Sequence, residues 1–187
     1  MAESLLSWQV PITGAAAPSW APAVVVAPPT WQRVALNMQW QSELWWCWAA
    51  VAASVAEYFS PSNAWRQCQV AGATLGNGGC CANPSPCNQQ YDLDKALTAV
   101  GHFSGLVAST VSAGALAGEL TAGRPIGSRV NWSGGGGHFV AIAGLLQGSQ
   151  DYIGITDPWY GPSDVTFAAF CGSYQSNGSW DATYLVC

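Results

Sequence analysis

Acyl transfer by a protein needs a nucleophile, a base and a group that orients the base, and this sequence has few candidates for each. Among seven cysteines, Cys47 is the one that opens a long apolar run, CWAAVAASVAEYF. A cysteine attacks as the thiolate, a form favoured by a helix N-terminus and by a neighbouring imidazolium. Taken alone, a cysteine in so apolar a stretch reads first as a small buried hydrophobe. Gln41 changes that reading. It lies six residues before Cys47, near enough for its amide NH2 to face the oxygen that becomes anionic during attack. The Cys47 N–H would be the second donor of such an oxyanion hole. Gln39 is a poorer candidate for the role, and the plain alternative for either is a solvent-exposed glutamine.

The base must be a histidine, and there are two, His102 and His138, each within Gly-His-Phe. His138 follows Gly134–Gly137 and leads into FVAIAGLL. A strand there mounts the imidazole rigidly, and bare glycine backbone lets a substrate come close. His102 follows a helix end and precedes a serine-glycine turn, which places it at the surface. The acids beyond His138 are Asp151, Asp157, Asp164 and Asp181. Asp157 ends DYIGITD, 19 residues past His138, so a hairpin would bring the two side chains together. Asp-Pro is also a common turn starter, and the case for Asp157 therefore rests on the whole constellation. With Gln41, Cys47, His138 and Asp157 in those roles, the chemistry is thiolate attack on a peptide carbonyl through a thioester. It calls for no cofactor and no metal.

Positioning these residues is the task of the surrounding elements. The run from Cys47 to Phe59 is apolar nearly all round, which describes a buried helix stopped by Ser60-Pro61. Ser62 can cap a second short helix through Trp65, Cys68 and Val70, ended by Gly72. Residues 73–90 form a Gly, Asn, Pro and Cys-rich loop, too long for a compact domain unless stapled. Helices are expected over Asp92–Val100 and over Ala113–Ala122, the latter capped by Ser112 and ended by Gly123. Trp31–Asn37 reads as a short strand. Beyond Arg124 the runs PIGSRVNW, HFVAIAGLL, DYIGITD, DVTFAAF and SWDATYLVC are short, β-branched or aromatic, and separated by turn residues, the mark of an antiparallel sheet. The expectation is an α+β fold: a helical N-terminal half, with the nucleophile helix at its centre, packed on an antiparallel C-terminal sheet. Residues 1–30, rich in Pro, Ala and Val, read as an arm, and 31–187 as one domain.

These residues carry a family likeness. The stretch QSELWWCWAA resembles the glutamine–cysteine segment of papain-like cysteine peptidases, in which Cys-Trp opens the central helix. GRPIGSRVNWSGGGGHFVAIAGL followed by ITDPWYG resembles a compact bacterial branch of them, the avirulence-effector and bacteriocin-leader-processing peptidases. The likeness runs from about Val34 to Tyr184 and implies a papain-like fold, a protein or peptide substrate, and the same four residues, Gln41, Cys47, His138 and Asp157.

The other six cysteines suggest disulfides. Cys68, Cys80, Cys81 and Cys87 bracket the long loop and are expected to pair among themselves, with adjacent Cys80 and Cys81 taking different partners. Cys171 is expected to pair with Cys187. A structural zinc held by the first four is the rival, disfavoured because no Cys-x2–4-Cys pair is present. Disulfides imply an oxidising compartment or export. A net charge of −5 with no basic run argues against nucleic acid. No stretch is long and apolar enough to span a membrane, and the start lacks the basic region of an intact signal peptide. A monomer is expected. Two other functions fit the same residues. An acyl transferase would pass the acyl group to an amine or thiol instead of water, and product analysis with added amine separates the two. A catalytically inactive binding module would use the eleven tryptophans as its surface, and an inert Cys47 thiol would be its sign.

Overall fold

The apolar run at Cys47 folds as α1 (Cys47–Phe59), and its alanines decide how it packs. Ala49, Ala52, Ala53 and Ala56 are at most 1% exposed, so short side chains let the helix axis lie close to its neighbours. This computed structural model describes residues 29–187. Nearly all of the expected arm, up to residue 28, therefore lies outside the described residues. Around α1 are α2 (Gln67–Leu75) and α3 (Leu93–Ala99). Farther along the chain come β2 (Phe103–Val107) and α4 (Ala113–Thr121).

The second half of the chain forms β3 (Ile126–Trp132), β4 (Gly137–Leu146), β5 (Tyr152–Asp157), β6 (Gly161–Thr166), α5 (Phe167–Gly172) and β7 (Gly178–Val186). The strands build one antiparallel sheet in the order β2-β7-β3-β4-β5-β6. β3 pairs with β4 only as far as Ile142, and the short strand β1 (Gln32–Arg33) takes the vacated edge at Gly144 and Leu145. Alternation along β4 separates two cores. Phe139, Ala141 and Ala143 meet α1, while Val140, Ile142 and Leu145 join α4, α5 and Trp180 on the other face. The fold is α+β, with α1 against an antiparallel sheet.

Several boundaries differ from those the sequence suggests. Ser62 lies in a 3-10 turn, Pro61–Asn63, and α2 starts only at Gln67. α2 runs through Gly72 and ends at Gly76, whose φ of +65° suits the left-handed cap. DVTFAAF is not one strand: Thr166 ends β6 and its hydroxyl accepts from the Ala169 N–H at 3.1 Å, capping α5. The segment after His102 is β2 and pairs with β7.

The cysteine-rich loop is stapled by Cys68–Cys81 and Cys80–Cys87, so the neighbours Cys80 and Cys81 do take different partners. Cys171 and Cys187, expected to pair, are both free. The sheet explains why. Cys171 belongs to α5, which reaches the start of β7 through the Tyr174–Gly178 bridge. Cys187 follows the far end of β7. At about 3.3 Å per residue a strand of that length carries the two roughly 25 Å apart, several times the span of a disulfide.

Candidate active site

Cys47 is the first residue of α1, and no side chain caps that end of the helix. Among the described residues nothing accepts its N–H, so this donor and the positive end of the helix dipole face the cleft. The turn before it is closed by the Trp46 N–H, which donates to the Glu43 carbonyl at 3.2 Å. It is tied to the sheet by the Gln41 N–H, which donates to the Pro158 carbonyl at 2.9 Å. That bond joins the glutamine segment directly to the residue after Asp157.

His138 continues the alternation of Val140 and Ile142, and Asp157 that of Ile153 and Ile155. Both therefore project from one face where the start of β4 lies beside the end of β5. His138 Nε2 lies 2.8 Å from Asp157 Oδ1. A carboxylate can only accept, so Nε2 carries the proton and Nδ1 is the nitrogen left for the thiol. Burial by itself would lower the His138 pKa. The hydrogen bond and charge of Asp157, together with the Cys47 side chain, outweigh it and raise the imidazole to about 9.

Asp157 is 1% exposed and firmly held. Its Oδ1 also accepts the Trp159 and Tyr160 N–H groups at 2.7 and 2.9 Å. Its Oδ2 accepts the Tyr174 hydroxyl at 2.8 Å. Burial would raise its pKa, yet these donors and the His138 charge hold it below the ordinary carboxylate value. Burial, then the Asp157 charge, in turn push the Tyr174 hydroxyl far up, so it stays a donor. No local signal marks Tyr174: it lies beyond α5 and reaches β5 only through its hydroxyl on Asp157. The Asp-Pro signal for a turn after the strand does not by itself reveal that the Trp159 and Tyr160 N–H groups form the other half of the carboxylate's cage.

The glutamine is differently disposed. Gln41 Nε2 donates to the Glu43 and Leu44 carbonyls at 3.0 and 2.8 Å, and its buried Oε1 lacks an acceptor's partner among the described residues. His102 is remote from this group. Its ring stacks on Phe59 at 4.9 Å, and its Nδ1 meets the Cys187 carbonyl at 2.5 Å.

Cys47 sits between two hollows. One, of about 220 Å³, is walled by Trp45, Trp48, Tyr91 and Phe139 with Asp92 and Arg129 at its polar side. The other, of about 160 Å³, contains Gln41, Leu44, His138, Trp159 and Tyr160. Gly137 borders both. The neighbouring glycines have another use: Gly135 and Gly136, at φ +91° and +84°, make the β3–β4 turn in a conformation that suits glycine. The aromatic rim is open, with Trp45 42%, Trp159 48% and Tyr160 52% exposed. Trp46 is buried beneath it.

A helix opening on a cysteine, set against an antiparallel sheet that offers a histidine at the cleft, is the architecture of papain-like cysteine peptidases. The match is more particular than the class: the chain belongs to the family described as papain-like cysteine protease AvrRpt2, whose profile covers residues 28–175. It is thus a cysteine-type peptidase, a hydrolase acting on peptide or protein substrates. No curated protein matches the chain. No helix among the described residues is long and apolar enough to cross a membrane.

Proposed function

We propose that residues 31–187 form one peptidase domain that hydrolyses peptide bonds with Cys47 as nucleophile, His138 as general base and acid, and Asp157 as orienter. The observation that carries this reading is the His138–Asp157 contact, which fixes the imidazole with Nδ1 free at the cleft. The Cys47 thiolate attacks the substrate carbonyl. Negative charge moves to the carbonyl oxygen, where the unengaged Cys47 N–H receives it. His138 donates its Nδ1 proton to the leaving amine and a thioester remains. His138 then takes a proton from water, the hydroxide oxygen attacks the thioester, and the carboxylic acid and the thiolate are released.

Gln41 is the second oxyanion donor in this scheme. Its two N–H bonds hold the Glu43 and Leu44 carbonyls in the free enzyme, so one of them turns to the oxyanion when substrate arrives. The two disulfides favour an exported enzyme, since thiols stay reduced in the cytosol. The test is turnover of denatured casein by wild type and Cys47→Ala, with far-UV circular dichroism as the folding control. The variant is expected to keep the fold and lose all cleavage. Cleavage at the wild-type rate would rule out Cys47 as nucleophile.

A further inference from the structure

Cys47 and its turn have an outer wall. Trp45 N–H donates to Asn88 Oδ1 at 3.0 Å, and Asn88 Nδ2 donates to Glu43 Oε2 at 3.2 Å. On either side of it, Trp46 Nε1 donates to the Cys87 carbonyl at 2.8 Å and Trp48 Nε1 to the Gln89 carbonyl at 3.0 Å. Glu43, Trp45, Trp46 and Trp48 are thus hung on Cys87, Asn88 and Gln89. The next residues, Gln90, Tyr91 and Asp92, line the larger hollow.

Resting on the reading of Cys47 as nucleophile, we propose that Asn88 is a positioning residue for the peptidase and that the Cys80–Cys87 disulfide holds it there. Burial anchors the turn it grips at Trp46, 1% exposed, but not at Leu44 and Trp45, which are 56% and 42% exposed. Hydrogen bonds hold that exposed stretch at Glu43 and Trp45, and the carbonyls of Glu43 and Leu44 are the ones that hold the Gln41 amide. Asparagine suits this station because one rigid plane offers an acceptor to a backbone N–H and a donor to a carboxylate. Aspartate would keep the first bond and set two negative charges together at the second. Asn88 in turn has a firm base. Cys87 is wholly buried, bonded to Cys80, and its N–H donates to the Pro84 carbonyl. Cys68–Cys81 ties the residue next to Cys80 to α2 and makes none of these hydrogen bonds itself.

The experiment measures the rate at which iodoacetamide alkylates Cys47 from pH 5 to 9, read by peptide mass spectrometry. It also measures kcat and KM on labelled denatured casein. Wild type, Asn88→Ala, Asn88→Asp, the pair Cys80→Ser/Cys87→Ser and the pair Cys68→Ser/Cys81→Ser are compared after circular dichroism at low temperature. Asn88→Ala and Cys80→Ser/Cys87→Ser are expected to slow alkylation near pH 6 and to lower kcat, each on the order of 10-fold, since misplacement of a reacting group by an ångström costs that much or more. KM should change little, Asn88→Asp should fall between, and Cys68→Ser/Cys81→Ser should stay near wild type in both readouts. Wild-type alkylation and kcat in a folded Asn88→Ala would overturn the proposal, as would an equal loss in both disulfide pairs. Alkylation reports on the turn even if Cys47→Ala still cleaves casein, so failure of the nucleophile assignment and failure of this inference remain distinct.

Discussion

Four donors converge on the Asp157 carboxylate: His138 Nε2, two backbone N–H groups and the Tyr174 hydroxyl. The backbone pair is immune to substitution, so Tyr174→Phe isolates the hydroxyl. Hydrogen bonds to charged groups contribute about 1.5–3 kcal/mol, and urea unfolding of Tyr174→Phe is expected to show a loss of that order, because Oδ2 is buried with one donor fewer. Turnover should fall with it as the carboxylate gains freedom to rotate away from His138. The titrations make a second prediction. His138 is raised from 6.5 to about 9 in the fold, so its stabilisation is fully present below pH 6.5 and is lost as pH rises through 9. Asp157 is lowered in the fold, so its contribution is present above the ordinary carboxylate value and is lost on acidification below it. Unfolding free energy should therefore decline by on the order of 3 kcal/mol between pH 6.5 and 9.5. In Asp157→Asn that decline should shrink, with the His138 resonance titrating nearer its ordinary value by NMR.

At the scale of elements, α1 does two jobs that pull its sequence in different directions. In the proposed mechanism its N-terminus stays uncapped, which forgoes a cap worth about 1 kcal/mol. Its body must offset that loss by close packing, and the alanines provide it. Ala53 is wholly buried in the cluster shared by α1, α3 and the β4 face. Ala53→Leu should therefore destabilise the protein by about 1–3 kcal/mol through overpacking, measured by urea unfolding. Cys47 alkylation should also change if the helix is displaced along its axis. The strands have a different duty. β4 and β5 place His138 and Asp157 by register alone, since Ala141 opposite Thr156 and Ile142 opposite Ile155 bring the two strand ends side by side. A slip of one residue would turn every side chain of a strand to the other face.

Across the whole molecule the cysteines divide into two chemical groups. Four are bridged near α2 and the loop before α3, while Cys47, Cys171 and Cys187 are free. The bridges shorten the effective length of a loop that holds one 3-10 turn, Ser85–Cys87, as its regular structure. Iodoacetamide added to unreduced protein in denaturant should thus modify three cysteines and, after reduction, seven. A single modification would indicate that Cys171 and Cys187 are paired after all. In the native state Cys187, exposed, should react before half-buried Cys171, whose thiol burial pushes up in pKa.

Much of this was legible in the chain itself. Helix α1, the Ser112 cap and the strand ends at His138 and Asp157 follow from local signals: an unbroken apolar run, a capping residue, and turn residues between short strands. Local propensity also fixed the α+β class, because helix-forming and strand-forming segments fall in separate halves. Elements whose identity depends on distant partners were not legible. β2, for one, exists because β7 offers it an edge; α2 outrunning Gly72 to the left-handed Gly76 and FAAF turning helical after the Thr166 cap are instead cases where one local signal outweighs another. The Cys171–Cys187 separation, the Tyr174 bond to Asp157 and the Asn88 bridge are decided only in three dimensions. Each depends on residues 16 to 45 positions apart meeting or failing to meet, and a sequence records spacing along the chain while contact depends on the path between.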